Sequence, residues 1–293
     1  MSAKPIAGKL IAELQRRRLG KVATLAEVIN SSAAAAELQR GIVGGITGFD
    51  PAHAAYVYTQ NQVSVMSEHL TALKEMAAFA EILSRAEVLY MPSAPPMSPL
   101  TTSYFTCWAF FDACAGAANE TIGTAILEFG AAFGIHPELL RLIGLMQDSR
   151  MGIYIDKARK DNLAILEDLV TGATCSAIVP SGYRGKEGEL WYARVLPPPI
   201  PGGSEHVVFT TPYVLVEPGP RDWLAYFGRA FPHTARVDDY ERHMKYGPTR
   251  EYWNDFVFEA YVNHRTEAIY LAGLPEVPES RPHSKVNAWG FGS

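Results

Sequence analysis

The feature that most constrains the fold of this chain is a change of pattern at Gly172. Upstream, Ala and Leu recur at helical spacing. Downstream come Thr174–Val179, Glu189–Leu196 and His206–Val216, blocks of β-branched and aromatic residues punctuated by Gly and Pro. A helical half followed by a mixed half predicts an α+β protein. The expected architecture is a helical N-terminal part, residues 1–172, packed on a small, mainly antiparallel sheet with C-terminal helices in residues 173–293. No linker follows Gly172, so the two parts can form one continuous domain.

The pattern predicts helices over Ile6–Leu19, Ala23–Leu38, Pro51–Val88, Thr102–Ala113 and Thr121–Phe133, then from His136 through Met146 and over Asp156–Val170. Asp50-Pro51 is a helix start, because Asp caps and Pro fits the first turn. Gly134 closes the helix before it. Thr174–Val179 and Glu189–Leu196 read as hairpin partners. His206–Val216 reads as one long strand or two short ones, and Ala268–Ala272 as a final strand. Between these come helices over Asp222–Phe231, Asp238–Lys245 and Glu251–His264.

Of 293 residues, 48% are hydrophobic and 19% charged, which excludes wholesale disorder. The net charge of −5 argues against duplex nucleic acid as the main ligand. The one dense basic run, Arg16-Arg17-Arg18 with Lys21, reads as a solvated helix end. No leader pattern and no membrane-length apolar stretch are present, and three cysteines cannot build a disulfide framework. A cytoplasmic protein is therefore expected. The apolar helical half is compatible with a homo-oligomer.

The loop Ser181–Gly188 and its flanking strand supply a candidate ligand site. Gly182, Gly185 and Gly188 permit a tight backbone, Arg184, Lys186 and Arg194 supply charge, and Tyr183, Trp191 and Trp253 supply aromatic walls. The pattern lacks the Lys-Ser/Thr ending of a P-loop. It points to binding of a small anionic ligand, or of a protein partner, through residues 181–194. The glycines at 41, 44, 45 and 48 lack the order and the preceding strand of a dinucleotide fingerprint.

Two enzyme readings stand beside this one. Cys175 opens a strand-like block after a Gly-containing turn, where a stabilised thiolate is a nucleophile. Its spacing to Arg194 resembles the bile-salt-hydrolase and acyltransferase group of N-terminal-nucleophile enzymes, in which a cysteine opens one strand and an arginine follows on its partner. The resemblance implies a cysteine-dependent hydrolase or acyltransferase. Val195-Leu196-Pro197 stand where that group carries Asn and Asp, and no family is assigned. The third reading is a metal-dependent enzyme. Asp239 and His243 share a helix face, Glu259 lies on the next predicted helix, and His264 ends that helix. The sequence names no cofactor, substrate or reaction.

Overall fold

A computed structural model describes residues 5–18, 50–71, 73–91, 101–231, 236–247, 261–264 and 267–272. The chain is an α+β protein, and its sheet closes into a barrel rather than lying open as a plain antiparallel layer. Chain contacts divide it into two compact units. One takes residues 1–83, 106–149 and 196–207; the other takes 84–105, 150–195 and 208–293.

The first unit is helical. It contains α1 (Pro5–Arg18), α2 (Pro51–Thr71), a 3-10 turn (Lys74–Met76), the start of α3 (Ala77–Tyr90), most of α4 (Thr102–Phe111), α5 (Ile122–Phe133) and α6 (Pro137–Asp148). The predicted starts and stops recur. Asp50 accepts from the Ala52 amide at 2.8 Å. Gly134 takes the left-handed conformation that ends α5, and His136 precedes Pro137 at the head of α6. The expected single helix Pro51–Val88 is instead broken at Leu73, whose backbone is extended and whose side chain is buried. No Gly or Pro marks that break in the sequence. The expected helix over Ala23–Leu38 and the glycine stretch 41–48 lie outside the described residues.

The second unit carries β1 (Met151–Lys160), β2 (Leu163–Asp168), β3 (Thr174–Ile178), all but the last residue of β4 (Leu190–Leu196), the last residue of β5 (His206–Val208), β6 (Tyr213–Glu217), α7 (Pro220–Ala230), α8 (Arg236–Tyr246), β7 (Tyr261–His264) and β8 (Ile269–Ala272). The strand order is β1-β2-β3-β5-β4-β6-β8-β7, and a further pairing of β1 with β4 closes the sheet. Three expectations are corrected here. The segment Asp156–Val170 is not a helix but most of the β1–β2 hairpin, with side chains buried alternately along Leu163–Asp168. Thr174–Val179 and Glu189–Leu196 are not hairpin partners, because β3 pairs with β2 while β4 pairs with β1 and β6. Tyr261–His264, expected at the end of a helix, is a strand antiparallel to β8.

The barrel interior follows from strand alternation. Opposed pairs place Gly152 against Ala193, Tyr154 against Trp191 and Ala164 against Ala177. Small residues thus face two large rings, which fill the bore together with Leu166, Val208 and Val214. A Cβ on Gly152 would lie 2.8 Å from the Tyr154 ring, so that ring needs a glycine beside it. On the opposite face of β4, Tyr192 packs with Tyr104 and Tyr213, and its hydroxyl is 2.7 Å from that of Tyr104. Helix α8 docks through Tyr240, whose hydroxyl accepts from the Ile153 amide at 3.1 Å.

Candidate functional site

The polar residues of interest collect at the barrel end that the 179–189 loop covers. Strand β1 carries a bulge between Asp156 and Ala158. In a regular strand, residues three apart point to opposite faces. The extra residue turns the strand so that Arg159 swings back over Asp156, and its Nη2 donates to Asp156 Oδ2 at 2.9 Å. Arg159 Nε also donates to the Arg184 carbonyl, which ties the loop to the strand.

The loop is held down at several points. The Asp156 amide donates to the Glu189 carbonyl at 2.9 Å, and the Gly188 amide to the Asp156 carbonyl at 2.7 Å. Glu189 Oε2 accepts from the Tyr183 hydroxyl at 2.8 Å and from the Lys186 amide at 3.0 Å. The Tyr183 ring lies 5.4 Å from that of Trp191, and the Tyr270 hydroxyl donates to the Tyr183 hydroxyl at 3.2 Å. The Arg159 guanidinium stands 5.0 Å from the Trp191 ring centre, within cation–π range.

Gly185 seals the arrangement in a left-handed conformation, at φ 59°. The point that a Cβ on it would occupy lies 2.2 Å from Asp156 Oδ2, 2.5 Å from Trp191 Cζ2 and 2.9 Å from Arg159 Nη2. A carboxylate, an indole edge and a guanidinium therefore converge on one spot. Beside it, two buried polar atoms have no hydrogen-bond partner: Asp156 Oδ1 and Trp191 Nε1. Asp156 is 1% exposed. Burial pushes its carboxyl up to about 6, against the pull of Arg159 and with a further push from Glu189.

Of the ligand residues expected from sequence, the structure brings Tyr183 and Trp191 together. Arg184 and Lys186 are exposed on the loop. Arg194 is not with them. It lies three residues along β4 from Trp191, paired with Met151, and is buried on the opposite face of the strand. Trp253 lies outside the described residues. Asp156, Arg159, Glu189 and Tyr270 were not expected from the sequence.

Cys175 sits on β3 opposite Leu166, near Asp168. Burial, with the Asp168 charge adding to it, pushes its thiol up to about 11. That favours the protonated, inert form over a nucleophile. Asp168 itself accepts from Arg150 at 3.0 Å and from the amides of Val170 and Thr171. Arg150 also pairs with Glu241 at 3.2 Å and lies over the Tyr240 ring. This set serves as an internal clamp between β1, β2 and α8.

The metal-site residues are dispersed. Asp239 pairs with Arg242 at 2.9 Å, while the His243 ring is buried against Phe231. Burial holds His243 down at about 4. Glu259 lies outside the described residues, and His264 ends strand β7. Among the described residues, no three His, Cys, Asp or Glu side chains are grouped to hold a metal ion. Among them too, no helix is long and apolar enough to cross a membrane.

Comparison with protein-family models, with curated proteins and with solved structures finds no match to this chain.

Proposed function

We propose that the barrel end formed by β1, β4 and the 179–189 loop binds a small polar molecule that carries an N–H group. The observation behind this reading is the buried, unpartnered pair Asp156 Oδ1 and Trp191 Nε1. Each such atom left unmade costs about 1–3 kcal/mol. A molecule whose N–H donates to the carboxylate relieves the cost at Asp156 Oδ1. The anion expected from sequence fits less well, because it would meet the Asp156 and Glu189 carboxylates. Arg184 and Lys186 offer it only an exposed rim. Access requires the loop to lift Gly185, and the three left-handed glycines at 182, 185 and 188 supply backbone freedom for that.

The test is ligand-observed NMR with small amides, amines and carboxylates on the wild type, Asp156→Asn and Arg184→Ala/Lys186→Ala proteins. N–H-bearing compounds are expected to bind and to weaken at least tenfold in Asp156→Asn. If carboxylates alone bind, and only the Arg184/Lys186 variant loses them, the rim reading replaces this one.

A further inference from the structure

We propose that the molecule taken at this barrel end is an organic cation, a guanidinium or an N–H-bearing ammonium, and that Arg159 occupies its cage as a built-in stand-in. The inference rests on the binding role given above and names the ligand class.

The cage is defined by what surrounds the Arg159 head group. Trp191 offers its face at 5.0 Å. Tyr183 stands beside it, and the Tyr270 ring meets Tyr183 edge-on, 6.3 Å away at 88°. Asp156 and Glu189 supply two carboxylates, and Glu189 is fixed by Tyr183 and the Lys186 amide. Aromatic faces together with carboxylates are the chemistry that selects a cation.

Arg159 fills this cage incompletely. A guanidinium facing a carboxylate ordinarily forms two parallel hydrogen bonds, one to each oxygen. Arg159 reaches only Oδ2, and Oδ1 stays unpartnered. Its tether explains the shortfall. The head group arrives from β1 across a bulge, and its Nε is engaged by the Arg184 carbonyl. An untethered guanidinium has no such constraint and can engage both oxygens. The Arg159 side chain is 26% exposed, whereas that of Asp156 is 2% exposed. The stand-in can therefore leave for solvent while the carboxylate cannot. Displacement of Arg159 couples ligand entry to release of the loop that its Nε holds.

The experiment measures NMR dissociation constants for methylguanidinium, N-methylurea and tetramethylammonium on the wild type and on Arg159→Ala. N-methylurea has a similar shape and no charge; tetramethylammonium has charge and no N–H. Arg159→Ser carries the same test should the Ala protein fail to fold. Removal of Arg159 is expected to tighten methylguanidinium binding at least tenfold, with both controls at least tenfold weaker on the same protein. Asp156→Asn in that background should abolish the preference. A gain below tenfold, or N-methylurea binding as well as methylguanidinium, overturns the cation assignment. If N-methylurea then binds the wild type and is lost in Asp156→Asn, the binding role stands without the cation. If no probe binds any of the proteins, both fall.

Discussion

Glu120 lies 114 residues from Ile6 in sequence, yet its carboxylate closes the first turn of α1. Its two oxygens accept from the backbone amides of Ile6 at 2.8 Å and Ala7 at 3.0 Å. The first amides of a helix have no partner within it. Pro5-Ile6-Ala7 offers no capping side chain of its own, so α1 borrows one from the turn before α5. Glu120 is 1% exposed, which makes these charge-assisted bonds strong and their loss costly. Glu120→Ala should destabilise the protein by about 2–4 kcal/mol in urea unfolding, with Glu120→Gln intermediate. Equal stability of all three proteins would show that the cap contributes nothing.

The Asp156 carboxyl makes stability depend on pH in a definite direction. Its folded value of about 6 stands above the ordinary 3.8. Below the lower value both folded and unfolded chains hold the proton, and no cost arises. Through the interval the folded chain keeps a proton that the unfolded chain releases, so stability falls as pH rises and levels off above 6. The cost is at most about 3 kcal/mol. Arg159, Glu189 and Glu187 are the charges that act on this group. The advantage of Asp156→Asn over wild type should therefore grow between pH 4 and pH 7. His243, titrating near 4 when folded, works in the opposite sense but equally in both proteins, and cancels. A gap that does not change with pH refutes the assignment.

Cys175 should be a slow thiol. With its pKa at about 11 instead of 9.0, the thiolate at pH 8 is scarcer by about a hundredfold than in the unfolded chain. Iodoacetamide labelling followed by peptide mass analysis should show Cys175 modified at least that much more slowly in native than in denatured protein. Rapid native labelling would restore the nucleophile reading.

Gly185 leaves no room for a side chain. A Cβ there meets the Asp156 carboxylate at 2.2 Å and the indole of Trp191 at 2.5 Å, and the backbone is left-handed. Gly185→Ala should lift the loop, costing about 2 kcal/mol or more. Hydrogen exchange at the Gly188 and Glu189 amides should accelerate while that of β2 stays unchanged. Unaltered exchange in the loop would mean that Gly185 does not seal the barrel end.

What the sequence reveals divides along the same line as the contacts. The helical unit is legible because its signals are local: Asp50-Pro51, Gly134 and His136-Pro137 each fix a boundary by their own backbone chemistry. In the barrel, strands β3, β4, β5, β6 and β8 are legible from their composition, but the pairings are not, because β4 pairs with the distant β1 and the β1–β2 hairpin mimics helical spacing. Ile165, Leu166 and Leu169 satisfy helical spacing, yet Ala164, Leu166 and Asp168 alternate inward on β2. The turn at Asp161-Asn162 was the available hint, since Asp161 takes a left-handed conformation there. Of the six residues gathered at the barrel end, the sequence points to two, Tyr183 and Trp191. Asp156 and Arg159 were hidden because a spacing of three on a strand separates two side chains unless a bulge intervenes. Arg194 misled for the converse reason: it lies close to Trp191 in sequence and on the wrong face.

A barrel of this girth is solid. With Tyr154 and Trp191 laid against Gly152, Ala164, Ala177 and Ala193, the bore has been spent on rings. It can serve neither as a conduit nor as a vessel. Enlarging any of those small residues must shrink a ring, and Trp191 is both the plug of the barrel and the floor of its end. The packing of the barrel and the binding role proposed for its end thus depend on the same indole.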